Sequence, residues 1–177
     1  MEALLKNTNC MDKNLNTLKT EVYDKCSLEI SEFFMEPESK EYDACRFKLN
    51  GTRIVSRSSK ITPKKVGQFV TFWKRTGNGP IEPFDAQDPG DLYVVNVRSA
   101  EAFGQFVFPK EVLLEKGIIS SATQAGKRAC RVYPSWDIAQ SKQAVRTQKW
   151  QLKYFYELNT SIDFKKVVAL YNGGPLS

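Results

Sequence analysis

The chain has 177 residues, of which 41% are hydrophobic and 26% charged, and it carries a formal net charge of +6. This length and composition are typical of one globular domain with a sizeable core. Because the sequence contains no histidine, it lacks the commonest general base and the usual partner of a nucleophilic serine or cysteine. Hydrolases of that kind are therefore disfavoured.

The charge is unevenly distributed along the chain. Residues 1–45 contain five lysines and ten carboxylates, a net charge of −5, whereas residues 46–177 contain 21 bases and ten carboxylates, a net charge of +11. The basic body favours an anionic partner. The acidic part has two interpretations: a solvated helix, or a flap that competes with the partner for the basic surface.

The sequence also bears on compartment and cofactors. No apolar run is long enough to span a bilayer, and residues 1–14 lack the apolar core of a signal peptide. We therefore expect a cytoplasmic protein that does not bind membranes. Neither a metal site nor a small-molecule cofactor is predicted. The cysteines have no metal-ligand spacing and are expected to be reduced and structural: Cys10, Cys26, Cys45 and Cys130.

The first predicted elements are a helix and a hairpin. Apolar residues recur at helical spacing over residues 12–26, and residues 27–35 are expected to continue this helix or to form a second one. The acidic part, residues 1–40, is thus expected to be mostly helical. Residues 42–57 predict a hairpin around Asn50-Gly51, the favoured pair of a type I′ turn.

Thr62 and Pro63 predict the start of another helix, with threonine as the N-cap and proline in the first helical position. An apolar stripe at helical spacing supports this helix: Val66, Phe69, Val70 and Trp73. Its first turn contains Lys64 and Lys65, which have the wrong sign for a helix N-terminus. Either a bound anion or nearby carboxylates are expected to compensate for these lysines.

The second half of the chain alternates predicted strands and helices. Strands are predicted at residues 92–97, 103–108 and 128–133. Helices are predicted from Pro109 to Lys116, after the turn at residues 133–136, and from Asp163 to Tyr171. This order predicts an α/β fold, in a single domain over residues 1–177 that has a mixed central sheet flanked by helices.

The helix after residue 136 is amphipathic and basic on one side. Its apolar arc is expected to face the core: Ile138, Ala144, Val145, Leu152, Phe155 and Tyr156. A separate arc about 60° wide forms what we call the basic ridge: Lys142, Arg146, Lys149 and Lys153. The ridge is either a solvated face or a surface that tracks a polyanion.

Two tryptophans lie in the same stretch of sequence. Trp150 falls about 80° from Lys142 on the helical wheel, outside the predicted core arc, and is a candidate for stacking on a nucleobase. Trp136 is expected to be packed in the fold, since buried tryptophans are the rule.

Four segments resemble the MepB-like family. They are KITPKKVGQFVTFWKR at residues 60–75, GQFVFPKEVL at residues 104–113, GKRACRVYPSWD at residues 126–137 and KQAVRTQKWQ at residues 142–151. The resemblance covers about residues 41–156. It implies a restriction-endonuclease-like α/β core and nucleic-acid binding rather than drug transport.

A nuclease of that fold needs an acid followed, on the next strand, by an acid-x-Lys sequence, which together hold Mg²⁺ and activate water. The first acid could come from Asp85, Asp88 or Asp91. The strands that follow offer only Asn96-Val97-Arg98 or Gln105-Phe106-Val107, and arginine cannot act as a base. Neither set is complete, and the aspartates are more simply interpreted as turn formers.

The sequence thus predicts a non-catalytic nucleic-acid-binding protein, with DNA favoured over RNA and single strands over duplexes. The residues expected to contact nucleic acid are Lys64, Lys65, Lys127, Arg128, Arg131, Lys142, Arg146, Lys149, Trp150 and Lys153. Two alternatives stay open: a metal-dependent nuclease with a degenerate site, and a protein-interaction module for an acidic partner.

Overall fold

A six-stranded mixed sheet forms the centre of the protein. The computed structural model describes residues 11–175. Their helices are α1 (Lys13–Leu18), α2 (Lys110–Glu115), α3 (Lys142–Gln151) and α4 (Phe164–Tyr171). Their strands are β1 (Ile30–Met35), β2 (Cys45–Leu49), β3 (Thr52–Ser58), β4 (Lys60–Thr62), β5 (Lys65–Thr71), β6 (Trp73–Arg75), β7 (Ile81–Pro83), β8 (Leu92–Arg98), β9 (Phe103–Pro109), β10 (Ala129–Val132) and β11 (Phe155–Glu157). Within this part of the chain, no helix has the length and apolar character needed to cross a membrane.

The central sheet has the strand order β1-β2-β3-β8-β9-β11. Strands β3 and β8 are parallel, and the other neighbours are antiparallel. Between β2 and β3, Leu49 pairs with Thr52, while Asn50 and Gly51 have φ angles of 49° and 84°. These left-handed angles are those of a type I′ turn. The predicted hairpin, the mixed sheet and the α/β class are therefore confirmed.

Separate hydrophobic layers cover the two faces of this sheet. Successive residues of a strand point to opposite faces, so that β8 contributes Val94 to one layer and Val95 to the other. Helices α1 and α4 cover the first face with residues such as Leu18 and Leu170. The second face is covered by α2, through Leu113, and by β5 and β10, which belong to a small sheet of order β10-β5-β4.

The predicted helix at residues 12–26 is confirmed, since α1 continues through the π turn Lys19–Tyr23 and the 3₁₀ turn Asp24–Cys26. The prediction of further helix over residues 27–35 is wrong. Ser27 has a φ angle of 54° and ends the helix, and β1 then pairs with β2. One edge of β2 pairs with β3, and β1 supplies hydrogen-bond partners to the backbone groups on the other edge. A helix at residues 27–35 could not supply these partners. Residues 1–10 of the acidic part lie outside the described residues.

The predicted helix at Thr62-Pro63 is also wrong. These residues end β4 and begin a tight turn, and Thr62 pairs with Lys65 across it. Gln68 and Val70 of β5 are buried, and so is Phe72, which follows the strand. Burial of every second residue is the pattern of a strand and not of a helix. Proline presets the backbone angle for a turn as readily as for a helix start. Pairing of β5 with both β4 and β10 decides between the two.

Three cysteines are free thiols: Cys26, Cys45 and Cys130. Burial raises the pKa of Cys45 and that of Cys130 to about 12, so that these two thiols are protonated and unreactive at neutral pH. Cys45 is buried, as expected of a structural cysteine, and the reduced state of the three thiols stays a prediction. Cys10 lies outside the described residues.

Gln105 of β9 is the centre of a buried hydrogen-bond network. Its amide oxygen accepts hydrogen bonds from Tyr156, at 2.7 Å, and from Tyr171. Its amide nitrogen donates to Asn96 Oδ1, at 2.9 Å, and to the Tyr23 hydroxyl, at 3.2 Å. Because each polar group finds a partner, the network can exist inside the core without a large desolvation cost.

We expect Tyr156→Phe to lower the free energy of unfolding by about 1 kcal/mol, because it removes one hydrogen bond from a buried network. Urea denaturation followed by circular dichroism would measure this loss. Tyr93→Phe is the matched control, since the equally buried Tyr93 hydroxyl has no hydrogen-bond partner among residues 11–175. Equal losses in the two variants would contradict the prediction.

Candidate nucleic-acid interface

A cleft of about 460 Å³ opens between β10, α3 and the chain that follows α2. Three cations line it, Lys116, Lys127 and Arg131, together with the aromatic rings of Tyr133 and Trp150. Among the described residues, no carboxylate belongs to this lining. Such a cleft has a positive potential and attracts anions.

Gln151, at the end of α3, fixes one wall of the cleft to the other. Its side chain is 1% exposed. The amide nitrogen donates to the carbonyl of Arg131, at 2.9 Å, and the amide oxygen accepts from the backbone N–H of Tyr133, also at 2.9 Å. The side chain therefore pairs with β10 as a neighbouring strand would, and it holds the helix against that strand.

The start of α3 and the turn before it are also held by polar side chains. Ser141 is the N-cap, and its hydroxyl accepts a hydrogen bond from the N–H of Ala144 at 3.0 Å, which is the usual reason for a helix to begin at a serine. Gln148 donates to the carbonyls of Pro134, at 3.0 Å, and Asp137, at 2.8 Å. The turn at residues 133–136 is thus attached to the helix, and not free to move over the cleft.

Trp150 is half-buried at the floor of the cleft. One contact of its ring is with Phe108, at 5.5 Å between centroids. The Lys116 ammonium lies 5.6 Å from the centroid of the indole, a cation–π distance. Lys116 also pairs with exposed Glu115 at 3.2 Å, a surface contact of little energy. The indole is therefore accessible to a stacking partner that displaces a lysine.

Arg131 has a structural role as well as a place in the cleft. Its guanidinium donates to the Gly67 carbonyl at 3.1 Å and to the Thr62 hydroxyl at 2.6 Å. These contacts hold the β4–β5 hairpin, whose tip exposes Lys64 and Lys65. Arg131 thereby connects the hairpin that carries the two predicted lysines to the wall of the cleft.

The basic ridge lies on the outer side of α3. Lys142, Arg146 and Lys149 are exposed, about 130° round the helix from the residues that face the cleft. The helix ends at Gln151, so that Lys153 belongs to the 3₁₀ turn Leu152–Tyr154 and not to the same helical face. The ridge adjoins the cleft but does not line it.

The predicted core arc of this helix is partly wrong. Ile138 is 79% exposed and Val145 is 48% exposed. Phe155 and Tyr156 are buried as predicted, but they lie in β11, where pairing with β9 replaces the helical backbone bonds. The face of α3 that packs on the fold is held by Gln148 and Gln151, because polar side chains with fixed partners can be buried there as well as apolar ones.

Among residues 11–175, no carboxylate forms an ion pair with the basic residues predicted to contact nucleic acid. Ion pairs within residues 11–175 involve other bases. The acids of the N-terminal part pair away from the cleft, since Glu36 contacts Arg46 and Arg57, and Glu38 contacts Arg75. Of the described acids, none acts as a flap over the predicted basic residues, and none compensates Lys64 or Lys65.

The three aspartates before β8 are occupied by other contacts. Lys74 donates to Asp85 at 2.7 Å and to Asp88 at 2.8 Å, and Arg53 donates to Asp91 at 2.9 Å. Asp85 and Asp88 also accept backbone N–H groups of their own turn, as the turn-former interpretation predicts. Within residues 11–175, no group of three or more His, Cys, Asp or Glu side chains could hold a metal ion.

Sequence reasoning found part of this cleft. Of the predicted residues, Lys127, Arg131 and Trp150 line the cleft, while Arg128 is exposed just before β10. Lys116 was not predicted because it follows a separate helix and reaches the cleft only through the fold. The sequence did signal Tyr133, which stands beside Pro134 in a basic stretch. The position of its ring depends on the fold, because the ring packs on Gly67, where a Cβ would lie 2.6 Å from it.

Gln151→Leu is expected to lower the free energy of unfolding by about 2 kcal/mol or more, because two backbone groups of β10 lose their buried partner. Thermal and urea denaturation would measure the loss. Gln140→Leu, a change of the same kind at an exposed position before the helix, is expected to have little effect. A small effect of both substitutions would show that Gln151 does not fix β10.

The Lys74–Asp85 pair predicts a dependence of stability on pH. The hydrogen bond from Lys74 lowers the pKa of Asp85 from its ordinary value of 3.8. A lowered folded-state pKa contributes stability that is complete above the ordinary value and is lost as the pH falls through the folded-state value. The difference in unfolding free energy between the wild type and Asp85→Asn should therefore be present at neutral pH and vanish in acid.

Denaturant titrations of the wild type and of Asp85→Asn from neutral to acidic pH would test the effect, with Asp163→Asn as the control. That exposed carboxylate instead caps α4 through the N–H of Lys166, away from Lys74. A constant difference between the wild type and Asp85→Asn down to the acid range would contradict the prediction.

Comparisons with known proteins agree with this architecture. The family model described as MepB-like matches residues 36–157. A solved structure described as the crystal structure of MepB is 36% identical, covers 85% of this chain and 100% of that chain, and superposes with a TM-score of 0.73. A bacterial homing endonuclease is 16% identical, covers 83% of this chain and 92% of that chain, and has a TM-score of 0.45. Among curated proteins, none matches the chain. The restriction-endonuclease-like core stays a prediction, whereas the match over residues 36–157 shows that the chain belongs to the MepB-like family.

Proposed function

We propose that this protein is a cytoplasmic, non-catalytic nucleic-acid-binding protein that holds single-stranded DNA in the cleft between β10 and α3. The observation that carries the proposal is a cleft with cations, an accessible indole and no carboxylate among its described lining residues. Nonspecific single-strand binders combine these two features, a basic groove for phosphates and aromatic rings for bases.

Single strands fit the cleft better than a duplex does. The ring of Trp150 lies at its floor beside Phe108, and the faces of bases are free to stack on an aromatic ring only where the strand is unpaired. Lys116, which lies over this ring, can move to a phosphate when a base displaces it. The exposed lysines and arginine of the basic ridge then extend the phosphate path along the outside of α3.

Three observations outside the cleft argue against a metal-dependent nuclease site in this chain. Lys74 and Arg53 occupy the aspartates that could have supplied a first metal ligand. Asn96 and Gln105, in the positions of the second acid, point into the buried tyrosine network. Arg98 replaces the lysine of a nuclease motif, and an arginine does not deprotonate to activate water.

An acidic protein partner is a second candidate. The exposed apolar side chains of Ile138 and Val145 lie in or just before the helix of the basic ridge. Apolar groups beside charges are typical of protein interfaces and add nothing to phosphate binding. This candidate predicts that Ile138→Ser and Val145→Ser abolish an interaction with an acidic protein and leave DNA binding unchanged.

Fluorescence anisotropy with labelled single-stranded DNA, duplex DNA and single-stranded RNA across a salt series would test the proposal. We expect the single strand to bind most tightly, with an affinity that falls as salt rises, because phosphate contacts release counterions. Arg146→Ala and Lys127→Ala should each reduce the slope of log K against log salt by about 0.7. Trp150→Ala should weaken binding by about tenfold, as the loss of a stacked base predicts.

The matched control is Lys165→Ala, an exposed lysine of α4, which should leave both affinity and salt slope unchanged. Binding that is indifferent to salt, or an equal loss in the control, would overturn the proposal. Cleavage of any of the substrates after long incubation with Mg²⁺ or Mn²⁺ would overturn its non-catalytic part.

A further inference from the structure

The small sheet of β4, β5 and β10 has an outer face that turns away from the hydrophobic layers. Along β5, Gln68 and Val70 are buried, so that Phe69 between them points to the opposite side. Among the described residues, Phe69 belongs to neither hydrophobic layer, and it is partly exposed. The outer face therefore presents an aromatic ring that the core does not use.

A row of side chains crosses this outer face at Phe69. In the antiparallel register, Phe69 lies directly opposite Lys60 of β4 and Arg131 of β10, and directly opposite residues share a face. The ring of Tyr42 lies 6.3 Å from that of Phe69, between centroids, and the Lys60 ammonium lies 4.7 Å from the centroid of Tyr42. Two rings and two cations thus form what we call the aromatic platform: Tyr42, Lys60, Phe69 and Arg131.

The cations of the aromatic platform have no carboxylate partner among residues 11–175. Lys60 is exposed. Arg131 donates only to neutral oxygens, among them the Gly67 carbonyl at 3.1 Å, so that its charge is not compensated. Burial and the charge of Glu41 raise the pKa of Tyr42, which places one exposed acid at the margin. The platform as a whole is nevertheless positive.

The aromatic platform continues the cleft of α3. Arg131 belongs to both, because it lines the cleft together with Ala129 and Tyr133. Directly opposite residues of antiparallel strands have Cα atoms about 5 Å apart. A nucleic-acid chain that leaves the cleft at Arg131 therefore meets Phe69 on the next β-strand, with no other element between them.

We propose that the aromatic platform is a second stacking site for single-stranded DNA. A base packs on the rings of Phe69 and Tyr42. The phosphates on either side of this base contact Lys60 and Arg131. The inference rests on the proposed function of the cleft and extends it, since the bound strand then runs from Trp150 over the outer face of the small sheet. Basic surfaces with successive aromatic rings are the usual means of holding a single strand.

Two lengths of oligothymidylate would test this site by fluorescence anisotropy with the full chain. They have about four and about twelve nucleotides, within the range of site sizes of small single-strand binders. The short oligomer fills the cleft, and the long one also reaches the aromatic platform. We expect Phe69→Leu to weaken the long oligomer about fivefold, through the loss of one stacked base, and the short one by less than about twofold.

Charge variants test the phosphate contacts of the platform. Lys60→Gln should lower the slope of log K against log salt by about 0.7 for the long oligomer and leave the slope for the short one unchanged. Glu41→Gln should strengthen binding of the long oligomer, because it removes a negative charge beside the path of the phosphates. A gain of affinity cannot arise from damage to the fold.

The matched controls lie on α4. Phe164→Leu is the same change at a ring that is 38% exposed, and Lys165→Gln is the same change at an exposed lysine. Neither substitution should alter the affinity for either oligomer, because α4 covers the other face of the central sheet.

Failure of this inference differs from failure of the proposed function. If the wild type binds neither oligomer, both proposals are overturned. If the wild type binds both, and Phe69→Leu leaves the long oligomer unchanged or weakens the two equally, the cleft binds DNA and the aromatic platform does not. An equal loss in Phe164→Leu, or no gain in Glu41→Gln, would also overturn the platform as a contact surface.

Discussion

The candidate interface depends on the contact between one buried amide and one strand. Gln151 pairs with the backbone of β10 on both sides of Val132, and this contact fixes the angle between strand and helix. If the amide were lost, two backbone groups would be buried without partners, which costs more than the hydrogen bonds contribute. The position of Trp150, one residue earlier, follows from the same contact. A polar side chain in the core thus determines the shape of the cleft.

A second constraint is the distribution of ion pairs. Four carboxylates of the acidic N-terminal part and of the loop before β8 pair with bases of the fold: Glu36 with Arg46 and Arg57, Glu38 with Arg75, and Asp85 and Asp88 with Lys74. These pairs hold the segment after β1 and the loop before β8 against neighbouring strands. Apart from Lys116, which pairs with Glu115, the cations at the cleft, on the hairpin and along α3 have no carboxylate partner among residues 11–175. The net positive charge of the chain is thereby concentrated where an aromatic ring is also accessible, and this coincidence favours a polyanion with stackable groups.

The cleft is built outside the second hydrophobic layer, between secondary-structure elements that meet through polar contacts. Tyr93, which is packed by Phe72 and Phe84, lies inside that layer. An open basic cleft binds by charge and stacking, with little demand on shape.

The sequence by itself determined the α/β class, the Asn50-Gly51 hairpin, strands β8 and β9, and helix α3, because local spacing and turn chemistry specify these elements. It also located the excess of positive charge. Tertiary structure decided that residues 62–73 form strands, since Thr-Pro-Lys-Lys fits a helix start and a turn equally well and only pairing with β10 selects the turn. It also brought Lys116 to Trp150 and left Ile138 exposed. Periodicity reports which residues share a face, but the neighbour that covers that face is set by segments distant in the chain.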